Sequence, residues 1–234
     1  MCGRFTRQYS WRDVHAFLDL QFPSAEDLGR SFNVAPTQPS PVCRAAKNGE
    51  RELTIMRWGF TPVWSKDGKP GPINARAETA ATNGMFRSAY KSRRCLVPAS
   101  GFYEWQKRDG GAKQPYLIRL LNDPIFCFAG LWESWRGDGD AVESFTVLTT
   151  EPNELMAPIH NRMPVIVRPS DFGSWLGGDA PPSGLFDPFP AEEMEAFPVS
   201  TRVNSPRNND PSLVEPVEPG DPDGGEPSLF GPGG

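Results

Sequence analysis

Cys95-Leu96-Val97-Pro98-Ala99-Ser100-Gly101-Phe102-Tyr103-Glu104-Trp105-Gln106, residues 95–106, read as a strand, a small-residue turn and a second strand. Apolar and aromatic side chains fill the two halves, and Ser100-Gly101 breaks the run. The same signal recurs on either side. The first half of residues 53–64 is strand-like, as are Pro115–Leu121, Ile125–Trp132, Phe145–Thr150 and Pro164–Val167, with Asn122-Asp123-Pro124 as a turn between two of them. Helical spacing is confined to short stretches. Ser10 caps a first turn whose Trp11, Val14, Phe17 and Leu18 share one face, with His15 beside that stripe as a surface or packing residue. A second helix sets Met85, Phe86, Ala89 and Tyr90 inward and Arg87, Lys91, Arg93 and Arg94 largely outward. Asn153–Ile159 and Ser170–Leu176, the latter anchored by Trp175, complete the set. The fold class expected is α+β, a mostly antiparallel sheet body with short helices at its edges.

Composition narrows the function. The chain has 234 residues, 38% of them hydrophobic, enough for one sizeable core or two small ones. Its 26 prolines and 23 glycines favour short strands and turns over long helices. No apolar run reaches spanning length and no basic-then-apolar leader opens the chain, so the expectation is a soluble cytoplasmic protein with no membrane partner. Four cysteines lack any CxxC pairing and only two histidines exist, which argues against structural zinc and, without export, against disulfides. Cys43, Cys95 and Cys127 sit in apolar surroundings and read as small core residues. The net charge of −5 is uneven: residues 207–234 carry one basic and six acidic side chains, and residues 1–206 carry 23 of each. A neutral body can still present a basic face to nucleic acid. From about Ser205 the chain is Pro, Gly, Asp and Glu with few large apolar residues, so residues 205–234 are expected to form a disordered acidic tail after a domain of residues 1–204.

The unusual chemistry lies at the start, Met1-Cys2-Gly3-Arg4-Phe5. Loss of the initiator methionine exposes an amine and a thiol on adjacent carbons of Cys2. The amine condenses with an aldehyde to an imine, and the thiol closes on the imine carbon to a thiazolidine. Reference pKa values of ~8 and ~8.5 put both groups within modest tuning of neutral-pH nucleophilicity. Elsewhere, Glu104 lies inside an aromatic strand. There it is either on a solvent face or in a buried site that raises its pKa towards neutrality. His160 precedes Asn161 and Arg162 at an element boundary, as a structural residue or a proton-transfer group. Alternation sets Asn74, Arg76 and Glu78 on one side of an extended segment. Trp58 and Trp64 flank turn-forming residues, either capping the core or offering a stacking platform. The basic run from Arg87 is a solvated face or a match for a phosphate backbone.

Seven segments together resemble the SRAP (SOS response-associated peptidase) family. They are Met1–Phe5, Asn33–Pro36, Trp58–Phe60, Asn74–Thr79, Gly101–Trp105, Ala129–Trp132 and Ile159–Pro164. The match runs in family order over roughly residues 1–204. The resemblance implies a single compact β-rich, barrel-like fold with peripheral short helices and a basic groove for single-stranded DNA. Its target would be an abasic site, whose ring-opened form exposes an aldehyde. It makes Cys2 the nucleophile after autocatalytic loss of Met1, with Asn74 orienting its amine. Glu104 would shuttle protons, and His160 would open the sugar ring. Arg4, Arg76, Arg87 and Arg162 would meet phosphates, Trp58 and Trp64 would stack on bases, and Asn33, Pro36 and Thr149 would line the groove. It implies no cofactor or metal and a monomer, and it names no replication partner.

Two other functions fit the same residues. One is an N-terminal-nucleophile peptidase in which the Cys2 thiol attacks an amide. The other is a non-covalent single-stranded DNA-binding module in which Cys2 is incidental. A strand-cleaving lyase side reaction is also open to the first reading, because an imine at C1′ acidifies the C2′ proton.

Overall fold

The structure, a computed structural model, describes residues 2–21, 27–108, 112–177 and 180–218. Its strands are β1 (Phe5–Arg7), β2 (Ser31–Val34), β3 (Pro39–Ala45), β4 (Arg51–Trp58), β5 (Asn74–Arg76), β6 (Arg94–Ala99) and β7 (Gly101–Gln106). They continue with β8 (Gln114–Leu120), β9 (Phe126–Trp135), β10 (Val142–Thr150), β11 (Met163–Pro164), β12 (Ile166–Val167) and β13 (Met194–Pro198). Among the described residues, four short α-helices, α1 (Trp11–Phe17), α2 (Ala77–Ala80), α3 (Arg87–Ser92) and α4 (Phe172–Gly177), lie between them. No described helix is long and apolar enough to cross a membrane.

The strands form two sheets. One runs β13-β8-β7-β1-β2. The other runs β11-β10-β4-β3-β6-β9-β12, and it closes on itself because β9 also pairs with β10. The closed ring β3-β4-β10-β9-β6 is the barrel-like core that the family resemblance implied. One feature departs from a purely antiparallel body. β10 runs parallel to β4, with Phe145 opposite Trp58, and then parallel to β5, with Val147 opposite Asn74.

β1 is an interior strand, flanked by β2 and by β7. Its Phe5 has no exposed surface and enters an aromatic cluster, 5.1 Å from Trp58 and 6.0 Å from Phe128 between ring centroids. Trp58 in turn stacks on Phe145 at 6.2 Å and donates from Nε1 to Ile73 O. The residues just before Phe5 are thereby pinned by one of the best-packed places in the molecule.

Helix α1 keeps the expected cap: Ser10 and Asp13 exchange hydrogen bonds in a capping box, and Val14 and Leu18 are buried. Cys43, Cys95 and Cys127 are buried and unbridged. Three local expectations change. Residues 154–159 form consecutive turns, not a helix. Arg94 is buried in β6 with its guanidinium over Trp175, because the outward face of α3 ends with Ser92. The extended segment from Asn74 stops at Arg76, so Glu78 sits on a helical turn.

The expected loss of order at Ser205 does not hold for residues 205–218. Val203 and Leu213 are fully buried with Tyr103 in a third cluster. Asn33 Nδ2 donates to Val203 O, Ser205 O and Asn208 O, Phe32 N–H donates to Asn209 Oδ1, and Tyr103 Oη donates to Phe32 O and Leu213 O. Few large apolar residues suffice here because a buried asparagine satisfies the backbone of the segment. The expectation for residues 219–234 lies outside the described residues. Leu213→Ala removes a fully buried side chain and is expected to cost about 2–5 kcal/mol, lowering Tm by roughly 5–15 °C in a melt. An unchanged Tm would mean that this segment does not belong to the core.

Candidate active site

Cys2 is reached from three directions. The antiparallel pair of Phe5 with Phe102, extended by a 2.9 Å bond from Tyr103 N–H to Arg4 O, carries the N-terminal residues along the Glu104 end of β7. Asn74, the first residue of β5, donates from Nδ2 to Cys2 O at 2.8 Å. Its Oδ1 is buried and has no hydrogen-bond partner among the described residues. On the third side, Gln106 Nε2 donates to Pro158 O at 3.1 Å, which ties the strand carrying Glu104 to the turns that lead into His160.

Cys2 has no exposed surface, and its Sγ lies 4.0 Å from Arg4 O. Burial pushes the thiol well above its ordinary value, and the Glu104 carboxylate pushes it further. This reverses the near-neutral tuning expected of that thiol: it is held protonated. Burial also pushes the Glu104 carboxyl, 2% exposed, up to about 7. A group there gives and takes a proton at neutral pH with little cost in either direction. His160 is half-buried, and burial lowers its pKa, so its ring is neutral near pH 7. Its Nδ1 lies 3.1 Å from Arg162 N–H and 3.3 Å from Arg162 O.

The residues expected to meet DNA divide sharply. Arg76 is exposed, next but one to Asn74, and makes no ion pair among the described residues. Trp64 is 63% exposed beside Val63 at 59%. The loop beneath them is stiff: Arg57 donates to Thr61 Oγ1 and Gly68 O, and Trp135 Nε1 donates to Ser65 O. Gly68 there has φ +64° and Trp135 ring atoms within 3 Å of any added Cβ, so only glycine fits. Pro36 is half-buried on the turn after β2, and Arg87 is exposed on α3.

Others serve the frame. Trp58 has no exposed surface and belongs to the core, so it offers no stacking face. Asn33 is 1% exposed and consumed in holding the C-terminal segment. Thr149 is buried and donates to Ala75 O. Arg4 Nη1 donates to Asn33 Oδ1 and Val203 O, both at 2.7 Å. Arg162 forms a two-pronged pair with Glu78, at 2.6 and 2.9 Å, and also donates to Thr149 O. The sequence reading missed two exposed cations, Lys107 and Lys113, at the base of the β7–β8 hairpin. Lys113 bears on both Glu104 and His160, and Lys107 on His160. Their place three residues after Glu104 and just before β8 was the available signal.

A family profile described as SOS response associated peptidase (SRAP) matches residues 1–206. The abasic site processing protein YoqW of Bacillus subtilis is 41% identical over 224 residues, covering 92% of this chain and 99% of that protein. The abasic site processing protein YedK of Escherichia coli is 32% identical over 229 residues, covering 93% and 100% respectively. Among solved structures, a Bacteroides thetaiotaomicron protein superposes with a TM-score of 0.82 at 26% identity, covering 92% of this chain and all of that one. With the β-rich fold, the second-position cysteine and the Asn74–Glu104–His160 surround, the chain belongs to the SOS response-associated peptidase family.

Proposed function

We propose that this chain processes abasic sites in single-stranded DNA by trapping them as a thiazolidine on Cys2 once Met1 has been removed. The observation that carries the reading is the burial of Cys2 against Asn74, with a carboxyl poised at about 7 on the adjoining strand. The names of relatives that align over nearly the whole chain, abasic site processing proteins, support the same target.

The chemistry follows from the charge states. The protonated thiol is not the first nucleophile. The freed Cys2 amine attacks the C1′ aldehyde of the ring-opened sugar, and the buried Asn74 Oδ1 is an acceptor available to orient it. Glu104 in its acid form protonates the departing hydroxyl, water leaves and an iminium forms. Now a carboxylate, Glu104 takes the thiol proton as sulfur closes on the iminium carbon, and so returns to its acid form while the ring nitrogen keeps its own proton. The balance is one aldehyde plus one aminothiol to one thiazolidine and one water. His160, neutral with its proton on Nε2, donates to the ring oxygen as the sugar opens. Removal of Met1 draws on the same carboxyl as base. Arg76, Lys107 and Lys113, with Arg87 on α3, are cations open to phosphate, which fix register without reading sequence. Trp64 is the aromatic open to a base.

A denaturing gel with a single-stranded oligonucleotide carrying one abasic site tests the reading. The parent chain gives a band that survives denaturation without reductant. Cys2→Ser gives none, because an amino-alcohol closes its ring poorly, yet it still binds the oligonucleotide. A persistent adduct in Cys2→Ser would overturn the proposal, and turnover of an amide substrate by either chain would favour the peptidase reading. Glu104→Gln slows adduct formation by about 100-fold or more. The parent rate peaks near pH 7, because dehydration needs the acid form and ring closure the base form.

The same ionisation costs stability. The folded pKa of Glu104 lies above its ordinary 4.5, so its contribution is intact below about pH 4.5 and is lost as pH rises through about 7. Glu104→Gln is therefore expected to stabilise the fold at pH 8 by up to about 3 kcal/mol, and the gain should vanish at pH 4. A pH-independent difference between the two melts would contradict the buried carboxyl.

A further inference from the structure

Glu78 lies in no contact with Cys2 and had no role in the sequence reading beyond its place in a motif. Its carboxylate holds Arg162 from two sides, Nη1 on Oε1 at 2.6 Å and Nη2 on Oε2 at 2.9 Å. Arg162 Nη2 also donates to Thr149 O, the last-but-one residue of β10. A guanidinium bound by a fork at one end and a strand carbonyl at the other has little freedom left. Its side chain is 14% exposed against 46% for Glu78, so the pair sits at the edge of the site and not in open solvent.

What this fixes is the backbone of Arg162, whose N–H and carbonyl, from two successive peptide groups, both face His160 Nδ1. The N–H lies at 3.1 Å and the carbonyl oxygen at 3.3 Å. The two contacts demand opposite tautomers. Accepting from the N–H puts the ring proton on Nε2, and donating to the carbonyl puts it on Nδ1. A small rotation of the Arg162 backbone exchanges one for the other. The ring can donate through Nε2 to a sugar oxygen only in the first arrangement.

We propose that Glu78 is a positioning residue that, through the Arg162 fork and the Thr149 carbonyl, holds His160 in the Nε2–H tautomer. The consequence for reaction rate rests on the abasic-site reading, and the tautomer itself does not. This also reassigns Arg162. In the free protein its charge is neutralised by Glu78, so its first task is to hold its own backbone against β10.

The chain suits a direct test because it has only two histidines, His15 and His160. ¹⁵N-histidine labelling with a His15→Gln companion assigns both rings by long-range ¹H–¹⁵N correlation. In the parent chain at pH 8 the His160 pattern should be that of a single Nε2–H tautomer. In Glu78→Gln, with Tm and the backbone amide spectrum otherwise retained, it should become an averaged mixture. Adduct formation with an abasic oligonucleotide should then slow about tenfold or more. Arg162→Lys keeps a cation but cannot make the fork, and it should mix the tautomers in the same way should Glu78→Gln fail to fold. An unchanged Nε2–H pattern in these variants overturns the proposal. Mixed tautomers with an unchanged adduct rate leave the positioning intact and overturn the part given to His160 in the reaction.

Discussion

Hydrogen bonding and burial of the second residue is the constraint on which this structure rests. Chain ends are ordinarily loose, and fixing one costs conformational entropy that must be offset. Here β1 is inserted between two strands, Phe5 is driven into the aromatic cluster with Trp58, and Asn74 takes the Cys2 carbonyl. The far end of the chain completes the clamp, because Val203 O accepts from Arg4 and from Asn33 together. The two ends of the described sequence are thus parts of one buried polar network, with Cys2 two residues from its centre.

Burial then sets the order of chemical events. The low-dielectric surroundings that push the Glu104 carboxyl up to about 7 also hold the Cys2 thiol protonated. The two effects are complementary. A protonated buried thiol is a poor nucleophile and a poor target for oxidation, since reactivity follows the thiolate. It becomes useful only once an imine stands beside it and Glu104 has given up its proton. Exposed cations at the hairpin and on β5 act at longer range and leave this proton economy largely to burial.

Much of this was legible in the chain. Apolar and aromatic runs located β4 and β6 to β10 but not β3, and Ser10 marked the first helix, because both signals are local. Cys2, Asn74, Glu104 and His160 were singled out from chemistry and from the family resemblance, and the fold brings the segments that carry them together. The misreadings share a cause: partners distant in sequence. Trp58 and Trp64 look alike locally, yet Trp58 ends a strand that pairs with Phe145 on the adjacent β10, whereas Trp64 stands on a loop. Asn33 resembled a groove residue because nothing nearby reveals that it satisfies carbonyls some 170 positions later. The composition of residues 205–218 suggested disorder because their order comes from that asparagine, from Tyr103 and from one fully buried leucine, not from many apolar residues. The parallel pairing of β10 with β4 and β5 likewise has no local signature.

The central claim concerns one residue and one bond, and intact mass tests it most directly. The purified chain is weighed before and after incubation with a single-stranded oligonucleotide containing one abasic site. The account predicts a starting mass lacking one methionine residue. It then predicts a denaturation-resistant product equal to protein plus oligonucleotide less one water, with fragmentation placing the addition on Cys2. A chain that lacks Met1 yet gains no mass, or an adduct mapped to any other residue, would contradict it.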